Sequence, residues 1–277
     1  MQIWGRVLGA IFGFFLLNFF GLLIGFLLGL AFDRAVNNSK NPFGTFSRNS
    51  RVNKERQEQF FQLSFSIMGH VAKAKGRVTS DEIRVASYIM KQMALDNTST
   101  LKAQKAFKEG TMNGFAFRES VLQVKQLCQG RISLLKFFME IQIQAAFADG
   151  TLHNEERSLL FKLAELLGFS QKILEQWLKM QEAAIRFQSQ NYQYDNSSFS
   201  QNTYSSKSKE TDAFRILGID SSASNSEIKK AYKKLMIEHH PDKLSAKGLP
   251  PEMIELAKQK TQEIQSAYET LKKIRKI

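Results

Sequence analysis

Apolar residues are concentrated near the amino terminus of the chain. Between Arg6 and Asp33 lie 26 residues without a charge, and many of them are leucine or phenylalanine. A helix of this length spans about 39 Å, whereas the hydrocarbon core of a bilayer is roughly 30 Å thick. A cleaved signal peptide has a shorter apolar region, of about 7–15 residues, followed by a small-residue cleavage site. The pattern therefore predicts a transmembrane helix over 7–32 after a short tail, 1–6.

Six glycines, one in the tail and five in this stretch, share one spacing of four, with Leu17 in the middle of the series. They are Gly5, Gly9, Gly13, Gly21, Gly25 and Gly29. Residues four apart lie on one face of a helix, and a stripe of small residues lets a second helix approach closely in lipid. The spacing predicts a homodimer through the transmembrane helix. The alternative is a monomeric anchor with the glycine content usual in membranes.

The residues that flank the apolar stretch predict its orientation. Four basic residues follow it, opposed only by Asp33: Arg34, Lys40, Arg48 and Arg51. Because basic residues favour the cytoplasmic side, most of the chain is predicted to be cytoplasmic and the tail periplasmic. Residues 33–56 are polar and contain Pro42, which predicts a juxtamembrane tether.

Helical periodicity dominates the middle of the chain. No proline occurs between Val52 and His240, and apolar residues recur every three or four positions from Phe60 to Val71. This spacing is typical of amphipathic helices, so 57–187 is predicted to form an all-α domain with its own core. The single cysteine, Cys128, lies on the apolar side of one predicted helix and is expected to be a buried small side chain.

Two nine-residue segments of this domain resemble each other: 74–82, which contains Gly76, and 148–156, which contains Gly150. Each has a glycine turn and then a polar start with acids in the first turn of the next helix, where Ser80 or Asn154 would act as cap. The pattern resembles the TerB-like helical domain of tellurite-resistance proteins.

Some members of that family bind metal through acids near such turns. Here Asp149, Glu155 and Glu156 are weak candidates, because a calcium loop has more oxygen donors and Lys75 would oppose a cation. No metal and no cofactor are predicted.

Enzymatic and nucleic-acid functions find little support in the sequence. The net charge is +13, but the basic residues are spread along the chain without an arginine-rich tract. An acidic protein partner and the anionic face of a membrane explain this charge better than nucleic acid does. His70 and His153 are isolated and are expected to have core or surface roles.

A polar segment follows the helical domain. Of the 19 residues 188–206, 13 are Gln, Ser or Asn. Such a composition buries too little apolar area to offset the entropy of ordering. We therefore predict a flexible linker over 188–210.

The last segment, 211–277, has the pattern of a helical hairpin. Ser224 and Glu227 form a capping-box signature, and a second helix is predicted from Asn225 to His239. Its apolar residues share one stripe with Tyr232 beside them, and lysines lie on the opposite face. Pro241 ends this helix. A mobile loop is predicted over 243–250, and a third helix is predicted to begin at Pro251.

These elements together resemble a J domain, the module that stimulates ATP hydrolysis by DnaK-type chaperones. The resemblance implies that Lys229, Lys233 and Lys234, with Tyr232 beside them, meet an acidic surface of DnaK. It also implies that the tripeptide His240, Pro241 and Asp242 acts as the switch. A J domain is not an enzyme, because hydrolysis occurs in DnaK. Thr261 departs from the phenylalanine that many J domains carry in their third helix.

The order of span, TerB-like domain, linker and J domain is similar to the membrane-anchored DnaJ-like co-chaperones of the bacterial inner membrane. The Gly/Phe-rich and zinc-binding segments of larger J proteins are absent. The resemblance implies recruitment of DnaK at the membrane and a link to envelope signalling of the Rcs type and to capsule synthesis. The alternative is an adaptor whose TerB-like domain binds an envelope protein while the J fold serves only for docking. A divalent-metal sensor is a weaker third hypothesis.

Overall fold

The computed structural model describes residues 42–76, 80–147, 150–194 and 204–276, and these residues form helices and no strand. The predicted all-α class is confirmed for this part of the chain. The predicted transmembrane helix, its glycines and the tail before it lie outside the described residues. Within the described ranges, no helix has both the length and the apolarity to cross a bilayer.

The described ranges contain eleven α-helices and two 3-10 helices. In chain order the α-helices are α1 (Pro42–Ala72), α2 (Ser80–Gln92), α3 (Asn97–Gly110), α4 (Phe117–Leu127), α5 (Ile132–Ala146), α6 (Asn154–Leu167), α7 (Gln171–Tyr194), α8 (Tyr204–Ile216), α9 (Asn225–His239), α10 (Pro241–Ala246) and α11 (Ile254–Arg275). The 3-10 helices are Lys73–Lys75 and Pro251–Met253. The chain divides into two units, 1–55 and 56–277.

Helix α1 begins earlier than the sequence pattern predicted. The predicted tether over 33–56 is helical from Pro42 onwards. Proline is tolerated in the first turn of a helix, where its missing N–H has no intrahelical partner. No glycine or proline occurs between Gly44 and Gly69 to end the helix.

The helical domain is built around α1 and α5. Phe60 of α1 meets Phe138 of α5 edge to face, with 6.0 Å between the ring centroids. The predicted apolar positions Phe60, Ile67 and Val71 are buried. Cys128 is fully buried, which confirms its prediction as a small core side chain.

A close crossing of α1 and α3 was not predicted from the sequence. A Cβ added at Gly110 would lie 1.7 Å from the carbonyl oxygen of Ser66, and one at Gly69 would lie 2.1 Å from that of Phe107. The two backbones are therefore in contact, and only glycine fits at these positions. Neither glycine lies in a recognisable motif, so the sequence held no signal for the crossing.

The turns of the internal repeat contain the predicted glycines. Gly76 and Gly150 both have positive φ, +110° and +92°. This region of conformational space is readily open only to glycine. The cap of α6 differs from the prediction, because His153 rather than Asn154 is the N-cap residue and its N–H donates to Glu156 Oε2 over 3.2 Å.

The C-terminal hairpin is formed by α9 and α11. Helix α9 has the predicted bounds, and the side chains of Tyr232 and Tyr268 stack between the two helices at 4.1 Å. The third helix is preceded by the 3-10 turn Pro251–Met253 rather than beginning at Pro251. The first helix, α8, begins at Tyr204, before the start predicted for this segment at 211.

The hairpin packs directly on the helical domain. One hydrophobic core includes residues of α1 to α7 together with Leu244, Leu249 and Met253 from the segment after α9. A second core joins Ala183 and Phe187 of α7 to α8, α9 and α11. The two parts of unit 56–277 therefore share their apolar interiors.

This packing changes the picture of the polar segment over 188–210. Helix α7 continues to Tyr194 and α8 begins at Tyr204, so both ends of the predicted linker are helical, while 195–203 lie outside the described residues. An ion pair of 2.9 Å joins Arg186 of α7 to Asp212 of α8. Tertiary packing of α7 against α8 outweighs the polar composition that predicted a tether.

Candidate functional site

The sharp turn between α9 and α10 contains the tripeptide singled out by the sequence. His240 has φ −58° and ψ 125°, so the chain leaves helical geometry at this residue, as the following proline predicted. The Nδ1 atom of His240 accepts a hydrogen bond of 3.2 Å from the Asp242 N–H, and Pro241 occupies the first turn of α10. The side chains of His240 and Asp242 are 47% and 90% exposed. The turn therefore presents an imidazole and a carboxylate to solvent.

The predicted mobile loop after this turn contains a helix. Residues 243–246 belong to α10, and Leu244 and Leu249 are fully buried. Their burial in the core of the helical domain orders a segment whose own composition favours mobility. The prediction of a loop over 243–250 is therefore wrong for 243–246, which are helical.

A row of exposed lysines lies on α9, the helix that leads into the turn. Its members are Lys229, Lys230, Lys233 and Lys234. Within the described part of the chain, Lys229, Lys233 and Lys234 form no ion pair, so this positive surface is open to a partner. The sequence analysis predicted both the lysine row and the tripeptide as site residues. In the structure the row lies on α9 and the tripeptide lies at the turn that follows this helix.

The opposite face of α9 holds the helix in place. Ile228 is fully buried, and Tyr232 is half-buried against Tyr268, so Tyr232 supports the helix as well as bordering the lysine row. At the start of the helix, the Ser224 N–H and hydroxyl both donate to Glu227 Oε2, and the Glu227 N–H donates to the Ser224 oxygen. These hydrogen bonds hold the pKa of Glu227 below its usual value. The predicted capping box is confirmed.

The helical domain binds the segment that follows the turn. Arg131 Nη1 donates to the Lys247 carbonyl over 2.7 Å, and Gln57 Nε2 donates to the Leu249 carbonyl over 3.1 Å. Lys247 Nζ donates to Ser133 Oγ over 2.8 Å. Sequence reasoning missed these residues, because they lie more than 100 positions from their partners and belong to no motif.

The same domain binds the residues that precede the turn. Lys136 and Glu140 are one helical turn apart on α5, and they contact Glu238 and His239, the last residues of α9. The Lys136 Nζ to Glu238 Oε1 distance is 3.1 Å, and the His239 Nδ1 to Glu140 Oε2 distance is 3.3 Å. His239 is 4% exposed, so the residue next to the exposed His240 is buried between the two domains.

Burial shifts the pKa values of the two side chains in this contact in opposite directions. It raises the pKa of Glu140 to about 7, although the nearby ammonium of Lys260 acts against the shift. It lowers the pKa of His239 to about 4, and Lys260 adds to that effect. For Lys260 itself, burial lowers the pKa, but the carboxylates of Glu263 and Glu140 outweigh it, so the net pKa is raised. At neutral pH the imidazole is therefore uncharged.

The weak metal candidates do not form a site in the described residues. Asp149 lies outside them, Glu155 is exposed, and Glu156 is 3% exposed with Lys75 Nζ at 3.2 Å from its carboxylate. The lysine of the first repeat therefore contacts the acid of the second. The part of the chain that the structure describes contains no cluster of three or more metal-ligating side chains.

His70 and Cys128 have structural environments. The His70 ring lies 4.9 Å from Phe117 and 5.3 Å from Phe115, and burial lowers its pKa. Burial raises the pKa of the Cys128 thiol to about 12, which keeps it protonated and unreactive. Neither residue is placed for catalysis.

Three family models match the chain in the order that its patterns predicted. The co-chaperone DjlA transmembrane domain matches residues 1–46, tellurite resistance protein TerB matches 62–178, and the DnaJ domain matches 212–277. No solved structure matches the chain.

Curated relatives match over almost the whole length. The chain is 52% identical over 273 residues to the co-chaperone protein DjlA of Photobacterium profundum, with 98% of each chain covered. It is 46% identical over 282 residues to the protein of the same name in Vibrio cholerae serotype O1 and 42% identical over 278 residues to that of Yersinia pestis, with 99% of this chain and 98% of the relative covered in both cases.

Proposed function

This chain belongs to the DjlA family of co-chaperones, and from that premise we propose that it recruits DnaK and stimulates ATP hydrolysis by DnaK. The observation that carries the proposal is the exposed turn of His240, Pro241 and Asp242 beside the open lysine row of α9. The chain itself performs no catalysis in this proposal. Hydrolysis takes place in DnaK, and the turn favours the hydrolysis-competent state of that partner.

The lysine row and the turn have separate roles in this proposal. Exposed lysines attract and orient an acidic surface, and their effect weakens as salt screens the charges. The turn makes the contact that changes the rate of hydrolysis. Lysine variants should therefore change the concentration needed for stimulation, whereas variants of the turn should change the stimulated rate.

The test of the lysine row is single-turnover ATP hydrolysis by DnaK with the full-length chain in lipid nanodiscs. The wild type should accelerate hydrolysis. Replacing Lys229, Lys233 and Lys234 with alanine should raise the half-saturating concentration about tenfold, the sum of three exposed charge contacts, and less at high salt. The control replaces three exposed lysines of the helical domain, Lys105, Lys108 and Lys172.

Two outcomes would contradict this assignment. An equal effect of the control triple variant would show that only the total charge matters. No acceleration by the wild type, together with measurable DnaK binding, would favour the alternative function, an adaptor whose TerB-like domain binds an envelope protein.

The membrane anchor is the second part of the proposal. We propose that 7–32 span the inner membrane with the tail in the periplasm, which the match to the DjlA transmembrane domain over 1–46 and the basic flank support. Because Cys128 is buried, a cysteine introduced at Gln2 or Lys105 gives a clear signal. An impermeant maleimide applied to intact spheroplasts should label Gln2→Cys and not Lys105→Cys. The reverse pattern would contradict the orientation.

We further propose that the glycine stripe mediates a homodimer, on the support of its spacing alone. Gly13→Ile combined with Gly25→Ile should reduce self-association in a membrane two-hybrid assay. Leu23→Ile combined with Leu27→Ile, half a helical turn from the stripe, is the control. Unchanged association in the glycine variant would exclude this interface.

A role in envelope signalling of the Rcs type and in capsule synthesis rests on the family resemblance. A capsule-promoter reporter should respond to overproduction of the wild type and not of His240→Gln. An equal response to both would separate such signalling from DnaK.

A further inference from the structure

The tripeptide turn is held from both sides by the helical domain. Before the turn, His239 and Glu238 contact Glu140 and Lys136 of α5. After the turn, Arg131, which is the residue that precedes α5, donates a hydrogen bond to the Lys247 carbonyl. The stretch from Arg131 to Glu140, which is the start and middle of α5 with the residue before it, therefore contacts both flanks of the turn.

The hold is apolar as well as polar. Leu244 and Leu249 are fully buried in a core that belongs mainly to the helical domain. The approach is also close at Gly248, where an added Cβ would lie 3.2 Å from Arg131 Nη1. Gly248 has φ +97°, a backbone conformation that favours glycine, and it packs against the guanidinium group of Arg131.

The exposed residues of the turn are left uncovered by these contacts. His240 and Asp242 remain open to solvent, and the lysines of the row are exposed. Ordering a loop of several residues costs about 1–2 kcal/mol per residue in backbone entropy. A segment ordered in advance binds its partner without that cost at the moment of binding.

We propose that Arg131 and Glu140 are positioning residues, which hold the tripeptide turn in one conformation without touching DnaK. Arg131 acts through the Lys247 carbonyl, and Glu140 acts through His239. This inference rests on the proposed function, and it gives the TerB-like domain a role in presenting the J domain. The TerB-like domain then holds the turn in its conformation, and this role is separate from the binding of any other partner.

Loss of positioning has a different signature from loss of the switch. When only a fraction of molecules holds the competent conformation, the apparent affinity falls by that fraction, while the bound state reacts normally. Arg131→Ala and Glu140→Ala should therefore raise the half-saturating concentration for DnaK stimulation about three- to tenfold, the effect of losing one hydrogen bond or one close polar contact, and leave the maximal rate unchanged.

The two variants also exclude a direct contact with DnaK. One removes a cation and the other an acidic side chain, so attraction to one acidic surface cannot explain a loss in both. Glu140→Gln keeps a polar group beside His239 and should restore most of the wild-type value. The matched control is Arg186→Ala, which breaks the ion pair with Asp212 between the same two domains but away from the turn.

The experiment combines hydrogen exchange with single-turnover DnaK hydrolysis, both on the full-length chain in nanodiscs. Amides of 240–249 should exchange faster in Arg131→Ala and Glu140→Ala than in the wild type, and Arg186→Ala should leave them unchanged. Unchanged exchange in folded Arg131→Ala and Glu140→Ala, or an equal loss of affinity in Arg186→Ala, would overturn the inference. If the wild type fails to stimulate DnaK, the proposed function fails, and faster exchange in the two variants would still establish positioning of the turn.

Discussion

The buried contact between Glu140 and His239 makes a prediction about pH. Burial raises the pKa of Glu140 from 4.5 to about 7, so the folded state holds this proton more tightly than the unfolded state. The contribution of Glu140 to stability therefore falls as the pH rises from 4.5 to 7. Burial lowers the pKa of His239 from 6.5 to about 4, so its contribution rises between pH 4 and 6.5.

The two contributions oppose each other in the wild type and are separated by single substitutions. Glu140→Gln removes the first contribution, so this variant should gain stability relative to the wild type as the pH rises from 4.5 to 7. His239→Asn removes the second, so it should lose stability relative to the wild type between pH 4 and 6.5. The charges that face the pair, on Lys260, Glu263, Glu238 and Lys136, remain in both variants.

The size of each change follows from the pKa shifts. A shift of one pKa unit corresponds to about 1.4 kcal/mol, which sets an upper limit of about 3.5 kcal/mol for either group. Because the Glu140 side chain is still 20% exposed, we expect about 2 kcal/mol for it. For a unit of this length, about 2 kcal/mol corresponds to a change of roughly 4–8 °C in Tm.

The assay is thermal unfolding of the full-length chain in detergent, followed by circular dichroism at pH 5, 6, 7 and 8. The quantity compared is the difference in Tm between each variant and the wild type, so that other titrating groups cancel. Differences that change with pH in the same direction for both variants, or that stay constant, would refute separate titration of the two groups.

Three further changes test the packing. Gly110→Ala should lower stability by about 3 kcal/mol or more in urea unfolding, because its Cβ would overlap the Ser66 carbonyl; a loss below about 1 kcal/mol would exclude the close crossing of α1 and α3. Lys75→Ala should destabilise by about 1–3 kcal/mol, because it removes the ammonium 3.2 Å from the buried carboxylate of Glu156 while the hydrogen bond from the His153 N–H remains, and the loss should be smaller when that acid is also changed to glutamine. Leu244→Ala should cost about 2–5 kcal/mol and lower a single calorimetric transition shared by the helical domain and the hairpin; two separate transitions would show that the domains unfold independently.

Local patterns predicted the elements of the candidate site well. The capping box of Ser224 and Glu227 and the proline at position 241 are short-range signals, and they defined α9 to the residue. The lysine row followed from helical periodicity, because Ile228 and its neighbours define the buried face. The order of the three segments followed from composition and from the resemblance to known families.

Contacts between distant segments could not be predicted in the same way. Composition predicted a tether over 188–210 and a mobile loop over 243–250. The polar residues and glycines of these segments do not indicate that a distant apolar surface packs against their neighbours. In the structure, Phe187 and Leu249 are buried against elements far along the chain. Arg131 and Glu140 had no motif to mark them, since their importance arises only from where the fold places them.

The most direct test of the central claim is the single-turnover rate of ATP hydrolysis by DnaK at a saturating concentration of the full-length chain. The wild type should accelerate hydrolysis, and His240→Gln should not, although its circular dichroism and Tm should match those of the wild type, because the His240 side chain is 47% exposed and packs in no core. Equal acceleration by a folded His240→Gln variant would contradict the assignment of the turn as the switch.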